Sequence, residues 1–219
     1  MYILNIETST KNCSVTIAFE GKALSTREIA DTGYSHAEKL HVFIEELITQ
    51  EGLQFKDLHA VAVSKGPGSY TGLRIGVSAA KGICYALQIP LLAVDTMRIL
   101  AQQIKVDSGY IIPMLDARRM EVYDAVFSAE FEQIQVVSAK VLHETSYAEF
   151  KDKPVYFLGD ALEKAQTILK QDNFVFCEMN RYPSSKQMAQ ISYQMYQKSD
   201  FVDVAYFEPY YLKEFYFGK

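Results

Sequence analysis

Thirteen residues constrain this chain more than any others: Ser64-Lys65-Gly66-Pro67-Gly68-Ser69-Tyr70-Thr71-Gly72-Leu73-Arg74-Ile75-Gly76. The apolar run His59–Val63 before them reads as a buried strand. The small-residue stretch from about Thr71 to Leu87 reads as a helix. Strand, glycine-rich turn and helix is the layout of a phosphate cradle, because a helix N-terminus presents unpaired N–H groups and the positive end of its dipole. The glycines here fall as GxGxxxG, one residue off the dinucleotide fingerprint, and no Walker GxxxxGK[ST] is present. An acid is wanted about 20 residues on, and position 92 is Leu. The glycines are expected to shape the turn and to let the following helix approach a partner closely.

The order of elements around this loop sets the fold class. Residues 2–9 start as a strand, Val15, Ile17 and Phe19 alternate as a second, and Glu20-Gly21 turns the chain into a third at Lys22–Ile29. Ser35-His36-Ala37-Glu38 is a capping box, followed by Leu40, Phe43, Ile44, Leu47 and Ile48 at helical spacing. After the loop and its helix come a strand at Leu91–Val94 and a helix capped by Asp95 through about Lys105. Three antiparallel strands followed by α-β-α-β-α is the order of a ribonuclease-H-like lobe, the building block of the actin, hexokinase and Hsp70 ATPase superfamily. Asp107-Ser108-Gly109 reads as a boundary, so the expected α/β fold has two ribonuclease-H-like lobes: an N-terminal one at 1–107 and an abbreviated C-terminal one at 108–219, with the tail packing back on the first. In the second, Tyr110–Leu115, Glu121–Ser128, Gln133–Leu142, Pro154–Leu158 and Phe174–Cys177 read as strands. Asp160-Ala161-Leu162-Glu163 reads as a capping box for a helix to about Lys170, and Ser184 as the cap of a last helix ending near Lys198. No fixed-period repeat is visible.

Composition excludes several functions. With 219 residues, 49% hydrophobic and 22% charged, the chain buries a sizeable core. Its net charge of −5 disfavours autonomous RNA binding, which draws most of its affinity from basic residues. The three cysteines, Cys13, Cys84 and Cys177, are odd in number and far apart, as reduced thiols are. His36 and His41 are five apart, about 140° around a helix, too far to share a metal. Without a secretory pattern or an 18-residue apolar run, the expected location is cytoplasmic, with no membrane contact.

Two sets of candidate functional residues follow. Glu7, Thr8 and Ser9 end the first strand beside Gly66, Gly68 and Ser69, as a vestigial nucleotide loop would. In the helix after the loop, Gly72, Gly76, Ala79, Ile83 and Ala86 form one stripe and Leu73, Val77, Ala80, Cys84 and Leu87 the next. Two apolar stripes exceed what one sheet covers; the second either meets the other lobe or meets a partner. The expected partner interface comprises Gly72, Arg74, Gly76, Ala79 and Ile83, together with Leu40, Phe43 and Leu47 of the preceding helix. An arginine at Gly76 is expected to block docking and spare the fold. Asp116-Ala117-Arg118-Arg119-Met120-Glu121 is a charged turn, either a solvated tip or a binding loop.

Ile6-Glu7-Thr8-Ser9, the loop Gly66–Gly76, Asp116-Ala117-Arg118, Glu121-Val122-Tyr123 and the tail Pro209–Lys213 together resemble the bacterial TsaB (YeaZ) family. Met120 departs from the pattern, where the family usually has Gly. The resemblance implies a non-catalytic paralogue of TsaD that binds and activates it for N6-threonylcarbamoyladenosine formation at tRNA position 37. It further implies a TsaE-type ATPase in the larger complex, a homodimer when alone, only indirect contact with tRNA and no cofactor. Thr96 and Leu100 stand where TsaD carries the histidines of its NHxxxH metal motif, and Leu cannot ligate a metal. The alternative function is a self-sufficient metal- or ATP-dependent enzyme of the same superfamily, a phosphotransferase or glycoprotease.

Overall fold

The structure, a computed structural model, describes residues 1–30 and 36–213. Two five-stranded sheets carry the fold, in two compact units: Met1–Ile99 with Ser184–Tyr211, and Leu100–Pro183 with Leu212–Lys219.

In the first unit β1 (Tyr2–Glu7), β2 (Asn12–Phe19) and β3 (Lys22–Ala30) form an antiparallel meander. The chain then passes through α1 (His36–Gln50) to β4 (Leu58–Gly66), through α2 (Tyr70–Leu87) to β5 (Leu91–Asp95), and into α3 (Thr96–Ala101). The strand order is β3-β2-β1-β4-β5, with β1, β4 and β5 parallel. Five of the six residues of β1 are buried, because both of its faces are covered. On one face Leu4, Ile6, Val61 and Val63 meet Leu40, Ile44 and Leu47 of α1 and Val77, Ala80 and Cys84 of α2. On the other, Ile3, Ala60, Ala62, Leu92 and Val94 meet Met188 and Ile191 of α5 (Met188–Gln197).

The second unit holds β6 (Tyr110–Asp116), β7 (Glu121–Ser128), β8 (Gln133–Val141), β9 (Val155–Leu158), α4 (Leu162–Ile168) and β10 (Phe174–Phe176). Its order, β8-β7-β6-β9-β10, repeats that of the first sheet: a meander whose first strand also pairs in parallel with the fourth. Both lobes are ribonuclease-H-like.

Several local expectations shift. α3 is capped by Asp95, whose Oδ1 accepts from Met97 N–H at 2.8 Å, but it ends at Ala101 because Gln102, Gln103 and Lys105 offer no continuing apolar face. Asp160 does not cap α4: its Oδ1 accepts from Asp116 N–H at 2.8 Å, and Ala161 holds the cap position without a side-chain bond. Ser184 caps a 3-10 turn, Ser185–Gln187, which leads into α5. Ser35 of the proposed capping box lies outside the described residues. At the charged hairpin tip the left-handed backbone falls on Arg118 and Arg119 rather than on Met120.

Candidate functional site

The glycine-rich loop is packed backbone to backbone against the end of β1. Ser69 N–H donates to the Ser9 carbonyl at 2.6 Å, and Thr8 Oγ1 donates to the Gly72 carbonyl at 2.7 Å. A Cβ added at Gly68 would collide with the Ser9 carbonyl, one at Gly72 with the Thr8 carbonyl, and one at Gly76 with Thr8 Oγ1. Gly66 is left-handed, and its Cβ would meet the Tyr210 carbonyl at 2.5 Å. Gly66, Gly68 and Gly72 therefore admit the chain's own backbone, and Gly76 admits the Thr8 side chain. Ser69 completes the arrangement as the cap of α2, its Oγ accepting from Gly72 N–H. Where a phosphate cradle offers a free amide to an anion, the Ser9 carbonyl here takes it.

At the end of β1, Ser9 thus packs directly on Gly68 and Ser69, and Thr8 on Gly72. Glu7 is fully buried at the carboxyl end of β1, opposite Ser14 of β2. Burial pushes its carboxyl up to about 7. Ser9 N–H donates to Oε1 at 2.6 Å, and the Ser9 and Ser64 hydroxyls pull the value back somewhat. Neither hydroxyl reaches hydrogen-bond geometry, and Glu7 Oε2 has no partner among the described residues. Thr96 Oγ1 and Leu100, where the metal histidines of TsaD were expected to map, are buried, and the hydroxyl has no partner there.

The proposed docking residues divide. Leu40 and Leu47 are core residues of α1, and Gly72 and Gly76 are sealed against Thr8. An arginine at Gly76 would therefore break the junction with β1, so that substitution does not test docking. Phe43 is half-buried against the core. Arg74, Ala79 and Ile83 do reach an open surface: with Ala37 and His41 of α1 and Ile75, Ser78 and Gly82 of α2 they line a groove of about 560 Å³. Arg74, Ser78 and Gly82 recur every four residues, the spacing of an exposed helical row. The sequence marks Arg74 and Ser78 of this row as polar positions between the apolar stripes, but not Gly82. At Gly82 nothing lies within 4 Å of an added Cβ, unlike at Gly72 and Gly76. Sequence reasoning also missed Tyr70 and Tyr211, whose rings pack 4.7 Å apart at a tilt of 33° beside Arg74. No periodicity links positions 141 residues apart.

Among the described residues no three His, Cys, Asp or Glu side chains converge as a metal site, and no helix is long and apolar enough to cross a membrane.

The fold and its packed glycine-rich junction define a doubled ribonuclease-H-like protein. The family model for TsaD, tRNA N6-adenosine threonylcarbamoyltransferase, matches residues 30–205. Within that group the chain belongs to the TsaB (YeaZ) family of tRNA threonylcarbamoyladenosine biosynthesis. It is 27% identical to the tRNA threonylcarbamoyladenosine biosynthesis protein TsaB of Escherichia coli over 97% of this chain and 95% of the relative. The Bacillus subtilis TsaB is 33% identical over 73% and 71%, respectively. The tRNA N6-adenosine threonylcarbamoyltransferase of Bacillus subtilis is 34% identical over 43% of this chain and 32% of its own length. YeaZ from Pseudomonas aeruginosa shares the fold with a TM-score of 0.85 at 23% identity, covering 96% of this chain and 99% of that one.

Proposed function

We propose that this chain is a non-catalytic scaffold subunit that binds and activates a TsaD-type transferase for N6-threonylcarbamoyladenosine formation at tRNA position 37. The carrying observation is the open groove of α1 and α2, floored by Ile75, Ala79 and Ile83 and edged by the small residues Ser78 and Gly82. Small side chains let a second pair of helices approach closely, and the apolar floor gains by being covered. A TsaD-type chain carries a related lobe, so its corresponding helices suit this face. In the same proposal a TsaE-type ATPase joins the pair, the chain self-associates through this face when alone, and it reaches tRNA only through its partner. The self-occupied loop and the Thr96 and Leu100 positions support the non-catalytic role.

The test is Ala79→Arg, which places a charge in the groove and leaves the Thr8 junction intact. Co-purification with the transferase subunit from the same source is expected to be lost, and transferase turnover on tRNA to fall at least tenfold. Pairing that survives overturns the proposed face. Stoichiometric Mg–ATP binding by the isolated chain in calorimetry would favour the self-sufficient enzyme.

A further inference from the structure

Arg74 lines the groove as its one permanently charged residue and has no carboxylate partner among the described residues. It is nevertheless held. Its guanidinium carbon lies 5.4 Å from the centroid of the Tyr70 ring, and Nη1 donates to Tyr70 Oη at 3.4 Å. The Tyr70 ring in turn packs against the Tyr211 ring, with centroids 4.7 Å apart and planes tilted by 33°. Tyr211 follows a tail that is tied down along its length. Val202 N–H donates to Leu91 carbonyl at 3.0 Å, and Lys81 Nζ donates to the carbonyls of Ala205 and Phe207 at 3.1 and 3.0 Å. Tyr210 N–H donates to Lys65 carbonyl at 2.6 Å. The tail therefore holds the Tyr211 ring against the ring that carries Arg74.

We propose that Tyr211 is a positioning residue: through Tyr70 it presents Arg74 at the rim of the groove, where the transferase subunit meets the guanidinium with a carboxylate. This rests on the scaffold reading above. The chemistry follows from the contacts. Arg offers a planar fork matched to a carboxylate, and with Nη1 turned to Tyr70 Oη the edge formed by Nε and Nη2 is left to pair. A long cation usually loses rotamer freedom on binding; one already stacked loses less. The groove floor supplies apolar contact, so a partner that covers it desolvates Arg74 and must neutralise it.

Calorimetry of the full chain with the purified transferase subunit tests this, with thermal melts of each variant as a check on folding. Arg74→Glu is expected to weaken binding about 100-fold or more, and Tyr211→Ala about tenfold. Tyr211→Phe, which keeps the ring, is expected to bind as the parent does. In the double variant Arg74→Ala with Tyr211→Ala, affinity is expected to match Arg74→Ala alone, since Tyr211 acts only through Arg74. If Tyr211→Ala still costs tenfold when Arg74 is already replaced, the tail acts independently and the inference falls. If Ala79→Arg blocks pairing while Arg74→Glu leaves it unchanged, the scaffold reading stands and this inference alone fails. If neither variant alters pairing, both fail.

Discussion

The two sheets share one strand order and differ in what covers them. In the first lobe, β1–β5 are covered by α1, of 15 residues, and α2, of 18, on one side and by α5 on the other. In the second, the connection from β8 to β9 has only a 3-10 turn, Ala148–Phe150, and α4 is 7 residues long. Strand pairing evidently fixes the topology, and the crossover helix is dispensable if something else closes the face. Here aromatic rings do so. Tyr147 lies 5.4 Å from Phe157, which packs against Phe174 and Phe176 at 5.0 and 5.3 Å. Each such ring buries about 150–250 Å².

A polar network pins that cover in place. Asp124 is buried on β7, accepting from Tyr147 Oη and from Ser138 Oγ at 2.7 Å each, with Lys140 Nζ 3.1 Å away. Lys140 also sits 4.2 Å over the Tyr147 ring. Tyr147 adopts left-handed backbone, with φ of 66°, at the entry to the 3-10 turn. Burial and the neighbouring Asp124 carboxylate push its phenol well above the usual range, so it remains a donor. If this network replaces a helix, Asp124→Ala should cost about 4 kcal/mol, because it strands a buried phenol and leaves Lys140 unpaired. Hydrogen exchange should show the loss concentrated in β7, β8 and the connection to β9. Loss spread evenly over both sheets would remove the distinction drawn between them.

The first lobe has a different weak point, the junction of α2 with β1. Gly72→Ala should cost about 3 kcal/mol in chemical denaturation, since the new methyl group meets a backbone carbonyl that has no room to move. Gly82→Ala, in the same helix but facing open space, should instead stabilise the helix by somewhat under about 1 kcal/mol. Equal effects at the two positions would contradict the close packing of the loop on Thr8.

Glu7 gives the first lobe a pH dependence. Its folded pKa of about 7 lies above the ordinary value of 4.5. Below pH 4.5 the carboxyl is protonated folded or unfolded, and its burial costs no charge. Between 4.5 and 7 only the folded state keeps the proton, so stability declines as pH rises and levels off above 7. The decline is about 3 kcal/mol. Glu7→Gln should remove most of this slope, making the variant relatively more stable at pH 8 than at pH 5. A parallel pH profile for parent and variant would mean that Glu7 is solvated.

Much of the first lobe was legible because each element carries its own period. The alternation of β2, the helical spacing in α1 and the run at 59–63 each correspond to an element in the fold. A second, shorter lobe of the same kind was legible from the strand runs after residue 109, but the parallel pairing of β6 with β9 was not, because it is a long-range property that leaves no local repeat. The site was half legible. The stripes of α2 distinguish apolar from polar residues, but not which small residues face outward. Gly76 and Gly82 look alike in sequence; one abuts Thr8 and the other faces open space. Only the partner of each Cβ direction separates them.

The Ser9 carbonyl on Ser69 N–H carries a longer consequence. An enzyme that loses a phosphate ligand by one substitution can regain it by reversion. In this chain the amide is satisfied by a main-chain group, which no change of side chain removes. Restoring an anion there would require rerouting the end of β1, with Thr8 and Ser9 both withdrawn from the glycines that accommodate them. Natural variation at these residues should therefore track the integrity of the lobe.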